Sequence, residues 1–179
     1  MNASLAWRAA ASVAVLMLAG CAPVAMTASG TTAVAELRNV SGQPVGTAML
    51  TQVGDVVRIV LEVQGLPAGT KGVHIHEVGS CEPPTFTSAG GHFNPVSKQH
   101  GLLNPQGPHA GDLANIVIAS DGKGRMETSA SLVTLGSGAN SILDANGSAL
   151  IIHAAPDDFR TDPTGNSGAR IACGVISKK

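Results

Sequence analysis

The chain has 179 residues, with 11 Lys and Arg against 12 Asp and Glu and an aromatic fraction of only 2%. That length supports one domain with a single core, and the core has to be aliphatic. A formal charge of −1 without a basic run excludes nucleic acid as a partner, because phosphate recognition needs a cationic face.

Residues 1–20 read as a secretory signal. Arg8 supplies the positive start, and residues 9–19 form an apolar stretch too short to span a bilayer. Leu18-Ala19-Gly20-Cys21 resembles the lipobox of bacterial lipoproteins, which implies cleavage before Cys21, lipidation of its thiol and attachment to a membrane. An ordinary signal cut further on, for instance after Ala28, is the alternative. Loss of Arg8 leaves ten basic residues against the 12 acidic ones. Residues 21–30 are small and unpatterned, as suits a tether. The expected location is the cell envelope, periplasmic or on the outer surface.

The folded domain is expected over residues 31–179. Polar and apolar residues alternate over 33–40, 45–53 and 56–64, separated by Ser41-Gly42-Gln43-Pro44 and by Gly54-Asp55, a two-residue hairpin signal. Further strands are read at 72–77, at 115–120 and 125–135 around Asp121-Gly122, at 149–153 and at 170–176. No segment has a helical period. Eight short strands bounded by many of the 22 glycines and 10 prolines predict an all-β, immunoglobulin-like Greek-key β-barrel or sandwich. Two long loops, 78–113 and 154–169, interrupt it, and loops of that length in a compact domain carry function.

The six histidines concentrate there. His74 and His76 lie one residue apart on a strand, so their rings point to the same side and suit one metal. Such a pair also occurs on exposed strands, but His92, His100, His109 and His153 all lie in the following loops or at a strand end. His92, His100, His109 and Asp112 are three imidazoles and a carboxylate, a set that suits tetrahedral zinc. His74, His76, His92 and His153 are four nitrogens, a set that suits copper. Counting His92 twice makes it a bridge between two metals. Spacing by itself leaves two separate sites, or a zinc site alone, equally open.

Residues 72–81, 87–95, 109–113 and 164–175 resemble segments of the copper/zinc superoxide dismutases in their bacterial exported form, and the likeness spans residues 31–176. The resemblance implies dismutation of the superoxide anion to oxygen and hydrogen peroxide. It implies copper on His74, His76, His92 and His153, and zinc on His92, His100, His109 and Asp112, with His92 shared and active in turnover. It further implies that Asp157 accepts hydrogen bonds from one histidine of each metal, that Arg170 holds the anion, and that a Cys81–Cys173 disulfide ties the metal loop to the last strand. Thr164 resembles the family's channel-rim threonine. Pro163 stands where many eukaryotic members have a lysine, which leaves Lys98 as a weaker candidate for steering. Two rival readings are an envelope copper/zinc-binding protein and a metal-stabilised dismutase-like domain without turnover. A homodimer is one candidate assembly.

Overall fold

The computed structural model describes residues 30–179, so the signal segment, most of the tether and Cys21 lie outside the described residues. Among the described residues nine antiparallel strands follow in order: β1 Thr32–Asn39, β2 Pro44–Val53, β3 Val56–Val63, β4 Gly69–Lys71, β5 Val73–His76, β6 Ile116–Ile118, β7 Gly124–Ala130, β8 Ser148–His153 and β9 Arg170–Lys178. A three-residue 3-10 turn, Thr87–Ala89, lies in the first long loop.

Alternation explains the strands. In β3, Val57, Ile59, Leu61 and Val63 face the interior while Arg58 and Glu62 face solvent. The Gly54-Asp55 turn joins β2 to β3 in the expected register, Val53 opposite Val56. Gly54 there takes φ 56°, a left-handed angle that suits a tight hairpin. The interior is filled by aliphatic side chains such as Leu37, Leu50, Ile59, Leu61, Ile75 and Ile152, all fully buried.

The spatial order is β4-β6-β7-β3-β2-β1-β9-β8-β5. β4 and β5 stand at opposite ends of this order, yet only Gly72 separates them in the chain. Its N–H donates to the Ala155 carbonyl and its own carbonyl accepts the His153 N–H, so the pairing with β8 continues through it. The two ends of the sheet are therefore joined covalently, which makes the sheet a nearly closed barrel, and the first long loop rather than β4 pairs along the outer edge of β5. β3 pairs with β7 rather than with β4, and β1 with β9, which are the crossed connections expected of a Greek key.

The structure corrects the strand reading in two places. The extended run entering the histidine pair starts earlier, at Gly69, and divides into two strands because its two halves pair with different neighbours, β6 and β8. The expected strand 125–135 stops at Ala130, since its partner β3 begins at Val56 and leaves nothing further to pair with. Gln52 instead accepts from the Leu135 N–H and the Thr134 hydroxyl. Val133 and Leu135 stay buried, which is why an apolar pattern continues past the ladder.

β5 carries the site. Val73 and Ile75 point into the core, and His74 and His76 point to the other face, where the first long loop covers them. That loop runs along β5 through hydrogen bonds from Ile75 N–H to the Gly111 carbonyl and from Phe93 N–H to the Ile75 carbonyl. Gly111 permits the approach, because a Cβ there would collide with the Ile75 carbonyl.

Candidate metal centre

Four imidazole nitrogens converge beside β5: His74 Nδ1, His76 Nε2, His92 Nε2 and His153 Nε2. Each is buried and has no hydrogen-bond partner among the described residues. The four residues can each offer a ligand atom within 4.8 Å of the others. Their opposite ring nitrogens are all engaged. His74 Nε2 is 2.8 Å from Asp157 Oδ2, His76 Nδ1 3.0 Å from the Gly90 carbonyl, His153 Nδ1 3.1 Å from the Gly168 carbonyl and His92 Nδ1 2.9 Å from Asp112 Oδ1. A carbonyl or carboxylate accepts, so in His74, His76 and His153 the proton sits on the far nitrogen and the lone pair faces the shared centre. Burial is the main cause that keeps these rings neutral. It lowers His74, takes His76 down to about 2 and His153 to about 3, and the nearby Arg170 charge adds to the last two.

The second donor set lies on the other side of His92. Asp112 Oδ1 is 2.9 Å from His92 Nδ1, 3.1 Å from His100 Nδ1 and 3.4 Å from His109 Nδ1, and the His92 and His109 Nδ1 atoms are 3.4 Å apart. A tetrahedron with metal–nitrogen bonds of about 2.0 to 2.1 Å has edges of about 3.3 Å, so these spacings fit zinc. The other Asp112 oxygen accepts the Gly101 and His109 backbone N–H groups, which fixes the carboxylate. His74 also comes within reach of His92, His100 and Asp112. Its Nε2 is held by Asp157, however, and its free Nδ1 belongs with the first set.

Asp157 accepts from His74 Nε2 at 2.8 Å and from His100 Nε2 at 3.0 Å, so one carboxylate orients a ring in each set. Burial opposes its charge, but the His100 and His74 hydrogen bonds outweigh that and hold it well below the usual carboxylate range. Burial likewise opposes protonation of His100, and its bonds to Asp112 and Asp157 push it up to about 9. His92 falls to about 4, chiefly through burial. Asn115, which the sequence did not single out, clamps the Asp157 backbone by accepting its N–H and donating to its carbonyl, both at 2.9 Å. Gly165 leaves room for this junction, because a Cβ there would collide with the Asp157 carboxylate and crowd His100.

Arg170 opens β9 half-buried beside the first donor set. Its Nη1 donates to the Phe86 carbonyl and its Nη2 to the Gly90 carbonyl, each at 2.6 Å. The Gly90 carbonyl also faces His76 Nδ1, so one oxygen ties the guanidinium to that ring. Burial lowers the Arg170 pKa. Phe86 takes φ 55°, a left-handed conformation rare for an aromatic residue, and its side chain packs with Ala89, Ile151, Cys173 and Cys81. Cys81 and Cys173 form the disulfide, with Cα atoms 5.7 Å apart. The brace on Arg170 thus runs through Phe86, whose carbonyl has no sequence signal. Thr164 is exposed, and its carbonyl accepts the Ser167 hydroxyl. Lys98 is exposed and is not drawn to the histidines. It lines a surface groove with Pro95, Pro108 and Leu132.

Residues 44–176 match the family model for copper/zinc superoxide dismutase (SODC). The chain belongs to the copper/zinc superoxide dismutase family. Its metals are copper and zinc, and the two donor sets suit them. The "Superoxide dismutase [Cu-Zn] 2" of Aquifex aeolicus is 51% identical over 144 residues, covering 79% of this chain and 84% of the relative. Among solved structures, the superoxide-dismutase-like protein from Bacillus subtilis superposes with a TM-score of 0.76 at 43% identity, covering 79% of this chain and 96% of that one. A double variant of that protein, with a tyrosine and a proline each replaced by histidine, superposes with a TM-score of 0.77 at 46% identity, covering 79% and 95%.

Proposed function

We propose that the protein dismutes superoxide, turning two superoxide anions and two protons into oxygen and hydrogen peroxide. Copper would be held by His74, His76, His92 and His153, and zinc by His92, His100, His109 and Asp112. The observation that carries this reading is the convergence of four buried, partnerless imidazole nitrogens beside a guanidinium. Leaving a buried acceptor unmade costs about 1 to 3 kcal/mol each, so four in one place point to a metal that fills them together. A metal store would need the four nitrogens and no cation beside them. Arg170 serves instead to attract a small anion.

Bound copper supplies the one-electron exchange, and zinc supplies fixed positive charge on the far side of His92. The chain does the remainder. Burial keeps the four rings neutral, so His74, His76 and His153 can offer a lone pair without losing a proton, and His92, whose two nitrogens face both sets, has a single ring proton to give up. Arg170 draws in the anion and holds it. His92 Nε2, the nitrogen that faces the first set, would take a proton from solvent whenever it is not ligating metal and pass it to the product peroxide, while its Nδ1 stays with the second set.

The test compares superoxide loss catalysed by copper- and zinc-loaded protein with that of the zinc-only form. His153→Ala should abolish activity and keep zinc, because the first set loses a ligand and the second loses none. Full turnover by copper-loaded His153→Ala would overturn the assignment, and absence of turnover in the loaded wild type would favour a metal-stabilised domain without activity.

We also propose that this activity serves the cell envelope, with the domain tethered through a lipidated Cys21. Support comes from the Cys81–Cys173 disulfide, which suits an oxidising compartment and leaves Cys21 as the odd cysteine of three.

A further inference from the structure

We infer that Asp162 is a positioning residue for the zinc half of the centre, one carboxylate oxygen holding both His100 and His109. The inference rests on the reading that His92, His100, His109 and Asp112 bind zinc. Asp162 lies in the second long loop, and its Oδ1 accepts the His100 backbone N–H at 2.5 Å. The same oxygen is 3.7 Å from His109 Nε2.

The remaining rings show why that second approach matters. His74 and His100 have the nitrogen facing away from the donor sets on Asp157, His76 has it on the Gly90 carbonyl, and His153 on the Gly168 carbonyl. His92 offers one nitrogen to each set. Only His109, among the described residues, has a far nitrogen without an acceptor at hydrogen-bond distance. Its Nδ1 faces His92 and Asp112, so with Nδ1 on a metal the ring proton must sit on Nε2. Asp162 Oδ1 is the charged acceptor next to that proton. A closure of about 1 Å makes the bond and completes a carboxylate–histidine–zinc arrangement, which orients the ring and raises its basicity. Because Asp162 already grips the His100 backbone, one residue of the second loop then fixes two zinc-bearing segments of the first.

The experiment measures zinc affinity of the full folded domain by competition with a chelator, and follows the His109 Nε2–H by proton–nitrogen NMR of the zinc form. Asp162→Ala should weaken zinc binding about 10- to 100-fold and lose the Nε2–H signal to exchange with water. Asp162→Asn keeps a neutral acceptor for the His100 N–H and should fall in between, which separates loss of the charge from loss of the loop contact. His109→Ala serves as the reference. If it leaves zinc affinity unchanged, the zinc assignment itself fails and this inference with it. If His109→Ala weakens zinc while Asp162→Ala stays within twofold of wild type and keeps a protected Nε2–H, Asp162 is a surface carboxylate and the inference alone is overturned.

Discussion

A guanidinium has five N–H donors, and Arg170 spends one on the Phe86 carbonyl and one on the Gly90 carbonyl. The two bonds fix its plane and leave donors for an anion, while its charge reaches the His76 and His153 rings. At about 8 Å and an effective dielectric of about 20, a unit charge is worth about 2 kcal/mol. Arg170→Ala should therefore keep both metals and lose roughly thirtyfold in kcat/KM for superoxide. Its rate should also depend less on ionic strength than the wild-type rate, because the screened attraction is gone. Arg170→Lys should lose less, since it keeps the charge, but an ammonium lacks the planar fork that spans two carbonyls and should hold the anion less well. A full rate with an unchanged salt slope in the alanine variant would remove Arg170 from the mechanism.

At the level of elements, β5 supplies two histidines, the end of β8 supplies His153 and the start of β9 supplies Arg170, while the two long loops supply His92, His100, His109, Asp112 and Asp157. The first loop is hydrogen-bonded along β5, and the second meets it through Asp157. The disulfide closes a stretch with a sequence separation of 92 between the first loop and β9. In the chain-entropy account such a cross-link is worth about 4 to 5 kcal/mol. The double variant Cys81→Ser, Cys173→Ser should lose stability of that order in urea unfolding of the zinc-loaded domain. Because the pair also packs against Phe86, anion affinity at the copper site should weaken even where the variant remains folded. A stability change below about 1 kcal/mol with unaltered anion binding would show that the strands hold Phe86 and Arg170 without the cross-link.

Across the whole molecule, Arg170 opens β9 while Lys178 ends it opposite Ala33 near the start of β1. At about 3.3 Å per residue the two ends of β9 are roughly 26 Å apart. The described polypeptide thus enters the barrel at the end of β9 far from Arg170. Cys21→Ala should abolish labelling by palmitate and release the protein from the membrane fraction, with the purified domain retaining wild-type kcat/KM. Equal labelling with and without Cys21 would end the lipid-anchor proposal.

The histidine series, the alternating strands, the Gly54-Asp55 hairpin and the two long loops were legible in the sequence, because each is a local pattern whose chemistry or period can be read along the chain. The order β4-β6-β7-β3-β2-β1-β9-β8-β5 was not, since Gly72 closes the barrel only by pairing with segments far away in sequence. Nor were the nitrogens used by each imidazole, which depend on acceptors such as the Gly90 and Gly168 carbonyls. Phe86, Asn115 and Asp162 act through a carbonyl, an amide clamp and a carboxylate on separate segments. Side-chain type determined which atoms could bind metal. Only the tertiary structure decided which lone pairs meet, because direction and protonation are set by hydrogen bonds between residues distant in the chain.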